Sequence, residues 1–397
     1  MLRAVRISFT RRSFFATRGR APFLGVFALL VAACGGEDAA PATTQALVCD
    51  PTAYTLGGIT APNPLVSLGA RTVAGAGVTN PEKGVDGLYH QGDGVLFGTP
   101  TEDAPTFWAV ELEPGPSRLL LTWASASFGA YDLPDAAPLA YVVETSADST
   151  DGSDGTWTEV VNVADNPVRT RAHAFDFADQ RWVRFTVSAP ATMVPVELDE
   201  LALFDVSTAA EDTWFFLGDS ITAGAFQKSA GQLGNFEARV TTERPDFTPA
   251  VIGGGIGGEL ARDALERLDL VLELNQDITY FGVGYGTNDS WGSWKLGQTN
   301  YEANMIALVD RIIAAGHVPV LARIPYASKD HKTLPEFNAV VDRLTREYGL
   351  PCGPDLYGHF KANEDELMND GVHPTNFGYA SMNGEWAKAV LPLYPAP

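Results

Sequence analysis

The stretch that decides the fold is Trp214-Phe215-Phe216-Leu217-Gly218-Asp219-Ser220-Ile221-Thr222. Its apolar, aromatic first half is typical of a parallel strand that is buried on both faces. The run stops at Gly218, and Ser220 follows two residues later. A serine at the carboxyl end of such a strand stands where α/β sheets bind ligands and where an elbow nucleophile is exposed. On its own the stretch is better explained as a structural turn, because a catalytic interpretation also needs a base, an orienting acid and an oxyanion site.

The residues that follow alternate between strand and helix patterns as far as the end of the chain. Predicted strands cover residues 249–252, 278–284 and 318–324, and predicted helices cover residues 259–267, 301–315, 334–348 and 376–391. Alternating strands and helices favour a doubly wound parallel sheet between two helix layers. The sequence therefore predicts an α/β/α domain over residues 212–397, with the joint to the preceding region at residues 207–212.

Polar and glycine-rich loops follow these predicted strands. The glycine loop 253–258 lacks the Lys-Ser/Thr of a phosphate-binding loop, but its bare N–H groups suit a developing negative charge. Asn288 offers a neutral amide donor for the same purpose. Asp370 and His373 stand three residues apart in a turn, so both side chains can face one site. His373 can then take the proton of Ser220 while Asp370 orients the imidazole.

Four short blocks in this order resemble the SGNH hydrolase (GDSL esterase) superfamily. They are Gly218-Asp219-Ser220-Ile221, Gly258, Gly286-Thr287-Asn288-Asp289 and Asp370-Gly371-Val372-His373. The resemblance implies Ser220 as nucleophile, His373 as base and Asp370 as its partner. It implies an oxyanion hole built from the N–H groups of Ser220 and Gly258 and the side chain of Asn288. The second block usually begins with Asn where this chain has Gly253, so the resemblance leaves open which glycine of the loop 253–258 supplies the backbone donor.

The region before the joint, residues 60–207, shows short strand patterns separated by turns. Predicted strands cover residues 106–112, 118–125, 140–146, 156–163, 172–177, 181–187 and 196–206. Strands at this spacing without a long helix predict a β-sandwich. The order of features resembles the galactose-binding-like jelly roll, through stretches such as Gly84-Val85-Asp86-Gly87 and Phe107-Trp108-Ala109-Val110-Glu111-Leu112. Sugar binding and a scaffold role stay equally open for this region.

The start of the chain is typical of an export signal. Residues 1–33 combine six Arg with an apolar run that is too short to span a membrane. Val31-Ala32-Ala33-Cys34 resembles a bacterial lipoprotein cleavage box, so we expect lipid on Cys34 and a flexible tether over residues 34–59. The expected location is the periplasm or cell surface, with Cys34 as the only membrane anchor. A twin-arginine route and a Cys49–Cys352 disulfide both stay open.

Charge excludes one class of partner. Six of the 27 basic residues lie in residues 1–33, where there is no acid, so the rest holds 21 basic against 49 acidic residues, a net charge of −28. A chain this acidic is a poor ligand for nucleic acid. The proposed triad chemistry needs no metal and no cofactor, and the cysteines and histidines form no zinc-type cluster.

A jelly roll ahead of an SGNH domain resembles carbohydrate esterases, so the expected activity is hydrolysis of acetyl esters on carbohydrate. A lipase or thioesterase, an O-acetyltransferase, and a non-catalytic sugar-binding lipoprotein remain alternatives. Trp291 and Trp294 follow Asn288 closely, and exposed rings there would stack on a sugar. Packing of both rings against the domain is an equally good interpretation.

Overall fold

The computed structural model describes residues 58–88, 94–126, 129–226, 235–291, 297–329 and 332–396, which lie in one compact unit. The predicted export signal, Cys34, Cys49, Trp294 and all but the last two residues of the predicted tether lie outside these ranges and stay predictions. Cys352 is disulfide-bonded, and both other cysteines of the chain lie outside the described residues. Within the described ranges, no helix combines the length and the apolar character that crossing a bilayer requires.

The N-terminal region consists of two antiparallel sheets, which confirms the predicted β-sandwich. Its strands are β1 (Arg71–Ala74), β2 (Val95–Gly98), β3 (Thr106–Glu111), β4 (Arg118–Ser125), β5 (Pro138–Ser146), β6 (Thr158–Val163), β7 (Thr170–Asp176), β8 (Trp182–Pro190) and β9 (Val196–Asp205). One sheet has the order β1-β3-β8-β5-β6 and the other has the order β2-β9-β4-β7. Side chains from both sheets, such as Trp108, Phe185 and Leu121, form one buried cluster, so the sheets pack face to face.

Strand β4 is buried on both of its faces. Leu119 and Leu121 belong to the core between the two sheets, whereas Leu120 packs in a second core with Phe215. Because successive strand residues point to opposite faces, the second face of this sheet is covered by the C-terminal region. The unbroken apolar run of β4 follows from this double burial.

The C-terminal region is the predicted parallel sheet with helices. Its strands are β10 (Thr213–Gly218), β11 (Ala250–Gly253), β12 (Tyr280–Gly284), β13 (Val318–Arg323) and β14 (Cys352–Asp355). Its helices are α1 (Ser220–Phe226), α2 (Phe236–Glu243), α3 (Ala261–Leu274), α4 (Gln298–Ala314), α5 (Leu334–Glu347), α6 (Leu356–Ala362) and α7 (Asn376–Val390). Short 3-10 turns cover Pro81–Val85, Glu364–Glu366 and Leu391–Leu393.

The order of this parallel sheet, β11-β10-β12-β13-β14, decides where a ligand can bind. The chain leaves β10 toward one edge of the sheet and later leaves β12 toward the other edge. Such a reversal opens a crevice at the carboxyl ends of the two neighbouring strands. Strand β10 is fully buried, and Trp214, Phe215 and Phe216 pair with both neighbours. The fold therefore places the loops after β10 and β12 side by side.

Most strand and helix predictions agree with the structure to within a few residues, but the predicted helix over residues 259–267 ends seven residues before α3 does, and several short elements were not predicted. These are β1, β2, β14, α2 and α6. The core also includes a residue before residue 60, since Ile59 is fully buried and donates its N–H to the Leu393 carbonyl at 2.8 Å. Ile59 is thus packed into the C-terminal core and does not extend the tether.

Candidate active site

Ser220, His373 and Asp370 form a continuous hydrogen-bonded relay. Ser220 is the first residue of α1, directly after the turn that ends β10. Its Oγ lies 2.8 Å from His373 Nε2, and His373 Nδ1 lies 2.8 Å from Asp370 Oδ2. The structure brings the three predicted triad residues together across 153 positions of sequence. This is the spatial arrangement of a nucleophile, a base and an orienting carboxylate.

The loop before α7 holds the acid and the base in place. Asp370 Oδ1 accepts hydrogen bonds from the N–H groups of Val372 at 2.9 Å and His373 at 3.0 Å. Burial raises the pKa of Asp370, but these N–H groups and the His373 ring lower it more, so that its pKa lies below the ordinary value. An ionised Asp370 is the state that can accept a hydrogen bond from the Nδ1–H group of His373 and stabilise an imidazolium.

Asn288 contacts Asp219 and Glu259, which are the chain neighbours of the predicted oxyanion donors Ser220 and Gly258. Its Nδ2 donates to the Glu259 carbonyl at 3.1 Å and reaches Asp219 Oδ2 at 3.5 Å. Asp219 precedes Ser220 in the chain, and Glu259 follows Gly258. The amide of Asn288 is therefore next to both backbone segments that the oxyanion hole requires.

The glycine loop 253–258 runs alongside Ser220. A Cβ built on Gly257 would lie 3.9 Å from the Ser220 Cβ, whereas a Cβ on Gly255 would lie 2.3 Å from the Ala223 nitrogen of α1. Gly258 has a φ of +79°, which favours glycine, and nothing lies within 4 Å of its Cβ position. The loop is thus packed tightly against α1 at Gly255 and is open around Gly258.

Two buried carboxyl groups that the sequence argument did not use surround the site. Burial raises the pKa of Asp219 to about 7, and the nearby Asp289 and Glu259 carboxylates act in the same direction. Burial also raises the pKa of Asp289 to about 6, although the Ala261 N–H donates to both of its oxygens at 3.2 Å. The sequence signal that could have identified these two carboxyl groups is their position inside the Gly-Asp-Ser and Thr-Asn-Asp motifs.

Glu259, Arg267 and Tyr285 form a buried polar cluster behind the glycine loop. Arg267 donates to both Glu259 oxygens, at 2.6 and 2.7 Å, and to the Gly254 carbonyl at 2.8 Å. The Tyr285 hydroxyl donates to Glu259 Oε2 at 2.5 Å. No sequence pattern indicated this cluster, because its members come from three different elements of the fold.

Trp291, the remaining described residue of the predicted site, follows Asn288 in the same loop. Its side chain is 41% exposed, which rules out full packing into the domain. Among the described residues, no group of three or more His, Cys, Asp or Glu side chains is placed to hold a metal ion.

Two comparisons at the sequence level found similar proteins. Residues 216–380 match the GDSL-like Lipase/Acylhydrolase family. The chain is also 25% identical over 194 residues to thioesterase 1/protease 1/lysophospholipase L1 of Escherichia coli, an alignment that covers 49% of this chain and 90% of that protein. The residues of the family match include the end of β10, the glycine loop and the triad, and they begin after the β-sandwich.

Solved structures also resemble part of the chain. An acetylxylan esterase from Geobacillus stearothermophilus is 22% identical, with a TM-score of 0.38 and coverage of 45% of this chain and 94% of its own. A lipase/acylhydrolase from Enterococcus faecalis is 21% identical, with the same TM-score and the same coverage. On the family match, residues 216–380 in the C-terminal region of this chain form a GDSL/SGNH hydrolase domain.

Proposed function

We propose that this protein is a serine esterase that removes acetyl groups from carbohydrate through an acyl-enzyme on Ser220. The observation that carries the esterase chemistry is the relay from Ser220 to His373 to Asp370, with both contacts at 2.8 Å. A hydroxyl with an imidazole at hydrogen-bond distance, itself oriented by a carboxylate, is the arrangement that activates a serine for acyl transfer.

The proposed reaction has two halves. Ser220 Oγ attacks the ester carbonyl as its proton moves to His373 Nε2, and the oxyanion is bound by the N–H groups of Ser220 and Gly258 and by the Asn288 amide. The ester C–O bond then breaks, the leaving sugar hydroxyl takes the proton from His373, and the acetyl group stays on Ser220. Water attacks this acyl-enzyme, His373 receives and returns the proton, and acetate leaves.

The carbohydrate part of the proposal is supported by Trp291. Trp291 is 41% exposed in the loop that carries Asn288. An exposed indole face beside an ester site suits the apolar C–H face of a sugar ring. A thioesterase or lipase of the same fold is the second candidate, because the Escherichia coli relative carries thioesterase and lysophospholipase in its name.

Replacing Ser220 tests the proposal. Ser220→Ala should abolish hydrolysis of p-nitrophenyl acetate, because the loss of a nucleophile typically costs about 10⁶-fold in kcat. Ser188→Ala is the matched control, since Ser188 lies on β8 of the sandwich and donates only to the Ala140 carbonyl at 3.3 Å. An active, folded Ser220→Ala variant would refute the mechanism.

Acyl chain length separates the two candidate functions. An acetylesterase should hydrolyse p-nitrophenyl acetate and acetylated polysaccharide with higher kcat/KM than p-nitrophenyl esters of eight or more carbons. The reverse order of kcat/KM, in a protein whose activity depends on Ser220, would keep the esterase mechanism and replace the carbohydrate substrate by a long-chain acyl ester.

A further inference from the structure

Tyr131 belongs to the β-sandwich by sequence, but it is packed in the core of the hydrolase domain. It lies between β4 and β5 and is 1% exposed. Its ring meets Phe215 of β10 edge to face, with ring centroids 5.3 Å apart. Its hydroxyl accepts a hydrogen bond from Asn275 Nδ2 at 3.2 Å. One side chain of the sandwich therefore contacts the strand that leads to the nucleophile.

Tyr131 also contacts the glycine loop 253–258 beside Ser220. Its N–H points to the Gly255 carbonyl at 3.4 Å, so the sandwich meets the middle of this loop. On either side of that contact, Gly254 and Ile256 donate to carbonyls of β10, each at 2.9 Å. The loop is thus held by its own sheet on one side and by the sandwich on the other.

The ring of Tyr131 covers Arg267, whose guanidinium carbon lies 5.7 Å from the ring centroid. Arg267 donates to the Gly254 carbonyl and to both oxygens of Glu259. The Glu259 carbonyl in turn accepts the Asn288 amide at 3.1 Å, and Glu259 directly follows Gly258. The proposed donors Gly258 and Asn288 therefore both adjoin the Arg267–Glu259 pair. The ring of Tyr131, which comes from the sandwich, packs over this pair.

We propose that Tyr131 is a positioning residue for the oxyanion hole, acting through Gly255 and Arg267. This inference rests on the esterase function proposed above. Tyr131 contacts neither the triad nor the predicted donors, so it does not take part in the reaction itself. Its role is to hold the glycine loop and Arg267 against Glu259, which sets where the Gly258 N–H and the Asn288 amide point. The β-sandwich is then part of the catalytic unit.

Position matters here because oxyanion donors act only at hydrogen-bond distance from the atom that becomes charged. A displacement of about 1 Å can cost about 100-fold in rate, and this loss appears in kcat because the ground state binds without the oxyanion. Loosening Arg267 and Gly255 should therefore lower kcat and leave KM for a small ester nearly unchanged.

The test uses Tyr131→Leu and Tyr131→Phe in the full chain. Leu keeps the backbone N–H and apolar bulk against Phe215 but removes the aromatic face over Arg267. We expect its kcat for p-nitrophenyl acetate to fall by about 10- to 100-fold, with KM within about twofold. Phe keeps the ring and loses only the Asn275 hydrogen bond, so we expect it to retain most of the activity.

A transition-state analogue supplies a readout that loss of stability alone would not change. A trifluoromethyl ketone forms a tetrahedral adduct with the serine, so its inhibition constant reports on the oxyanion hole. Binding of the analogue should weaken in Tyr131→Leu, so its inhibition constant should rise by about the factor by which kcat falls. Tyr141→Leu is the control, because Tyr141 is also 1% exposed in the sandwich, but its hydroxyl contacts Trp123 and His173.

The outcomes separate this inference from the function on which it rests. A wild-type chain without esterase activity would overturn both. An active wild type with unchanged kcat and analogue affinity in Tyr131→Leu would overturn the inference alone. Equal losses of kcat in Tyr131→Leu and Tyr141→Leu, measured below both melting temperatures, would also overturn it, because the effect would then be general destabilisation. If Tyr131→Leu does not fold, Tyr131→Met takes its place. Unchanged kcat and unchanged affinity for the analogue in that variant would overturn the inference.

Discussion

Asn288 is the side chain at which two loops of the candidate site meet. The two hydrogens of its amide face the Glu259 carbonyl at 3.1 Å and the Asp219 carboxyl at 3.5 Å. The longer contact is weak, so a developing oxyanion can compete for that hydrogen more easily than for the one held by Glu259. A half-buried neutral donor of this kind keeps its proton at any pH at which the enzyme is folded.

Asn288→Ala should lower kcat by about 10²- to 10³-fold, the usual loss when one oxyanion donor is removed. KM for p-nitrophenyl acetate should change little, because the donor acts on charge that appears in the transition state. Steady-state kinetics of both Asn288→Ala and Asn338→Ala would check this. Asn338 is fully buried and bonds only to the Ile324 backbone, so its loss should lower the melting temperature without lowering kcat to this extent. An unchanged kcat in Asn288→Ala would remove Asn288 from the oxyanion hole.

At the scale of elements, the turn after β12 explains why Asn288 and Trp291 point differently. Ser290 donates its N–H to the Gly286 carbonyl at 3.0 Å, and Trp291 donates its N–H to the Asn288 carbonyl at 3.1 Å. Gly286 has a φ of +131°, and a Cβ there would meet the Ile324 side chain at 2.2 Å. The turn thus needs glycine at its start. It directs Asn288 inward and leaves Trp291 at the surface.

Trp291→Ala should raise KM for an acetylated oligosaccharide several-fold and leave KM for p-nitrophenyl acetate nearly unchanged. The reason is that only the oligosaccharide offers a sugar ring to stack on the indole. Kinetics on both substrates would test this, with Trp157→Ala as the control. Trp157 lies outside the hydrolase domain, under the guanidinium of Arg184 at 4.0 Å, so neither KM should change in that variant. Equal losses on both substrates in Trp291→Ala would indicate packing and leave the sugar interpretation without support.

On the scale of the whole molecule, the sandwich and the hydrolase domain share apolar packing. Leu120, Ala202 and Phe204 of the sandwich lie in the same buried cluster as β10 and β12. Polar contacts add to this, since the Ala174 N–H donates to Asp277 at 3.2 Å. A shared core of this kind makes the two regions unfold together more readily than two domains joined only by a linker.

Glu200 on β9 makes the stability of this unit depend on pH. It is 4% exposed, and the Gly87 N–H faces its carboxyl group and opposes the effect of burial on its pKa. Burial, with the nearby Asp86 and Asp199 charges, raises its pKa to about 9 from an ordinary value of 4.5. The folded state therefore holds this proton over a pH range in which the unfolded state has lost it. By linkage, this group's contribution to stability is complete below about pH 4.5 and is lost as pH rises toward 9.

Glu200→Gln should remove this dependence, because the amide keeps the shape of the protonated acid. At pH 7 the variant should exceed the wild type in unfolding free energy by on the order of 3 kcal/mol, from about 1.4 kcal/mol for each pKa unit. Urea unfolding between pH 4.5 and 8.5 would measure the difference. Glu159→Gln, at an exposed position of β6, should leave the slope of the wild type unchanged. A parallel slope in Glu200→Gln would show that Glu200 does not hold its proton in the folded state.

The sequence alone determined the elements and the local turns. Apolar runs and periodicity located β10, β12 and the long helices, because each pattern repeats over many residues. The turn before α7 also placed Asp370 beside His373, since both lie within three residues. Strands β1, β2 and β14 were not predicted because four residues hold too little periodicity, and the helices α2 and α6 are only eight and seven residues long. Strand β14, Cys352–Asp355, also contains Gly and Pro, which are tolerated there because it is an edge strand.

The tertiary structure alone decided which distant residues meet. Ser220 and His373 are 153 residues apart, and no local pattern encodes their 2.8 Å contact. The raised pKa of Asp219 likewise depends on burial by other segments. Tyr131 is the clearest case, because its neighbours in sequence predict a sandwich loop while its contacts lie in the hydrolase core. Local patterns report on the chain a few residues at a time, whereas contacts and electrostatics are set by the packing of elements that are far apart in sequence.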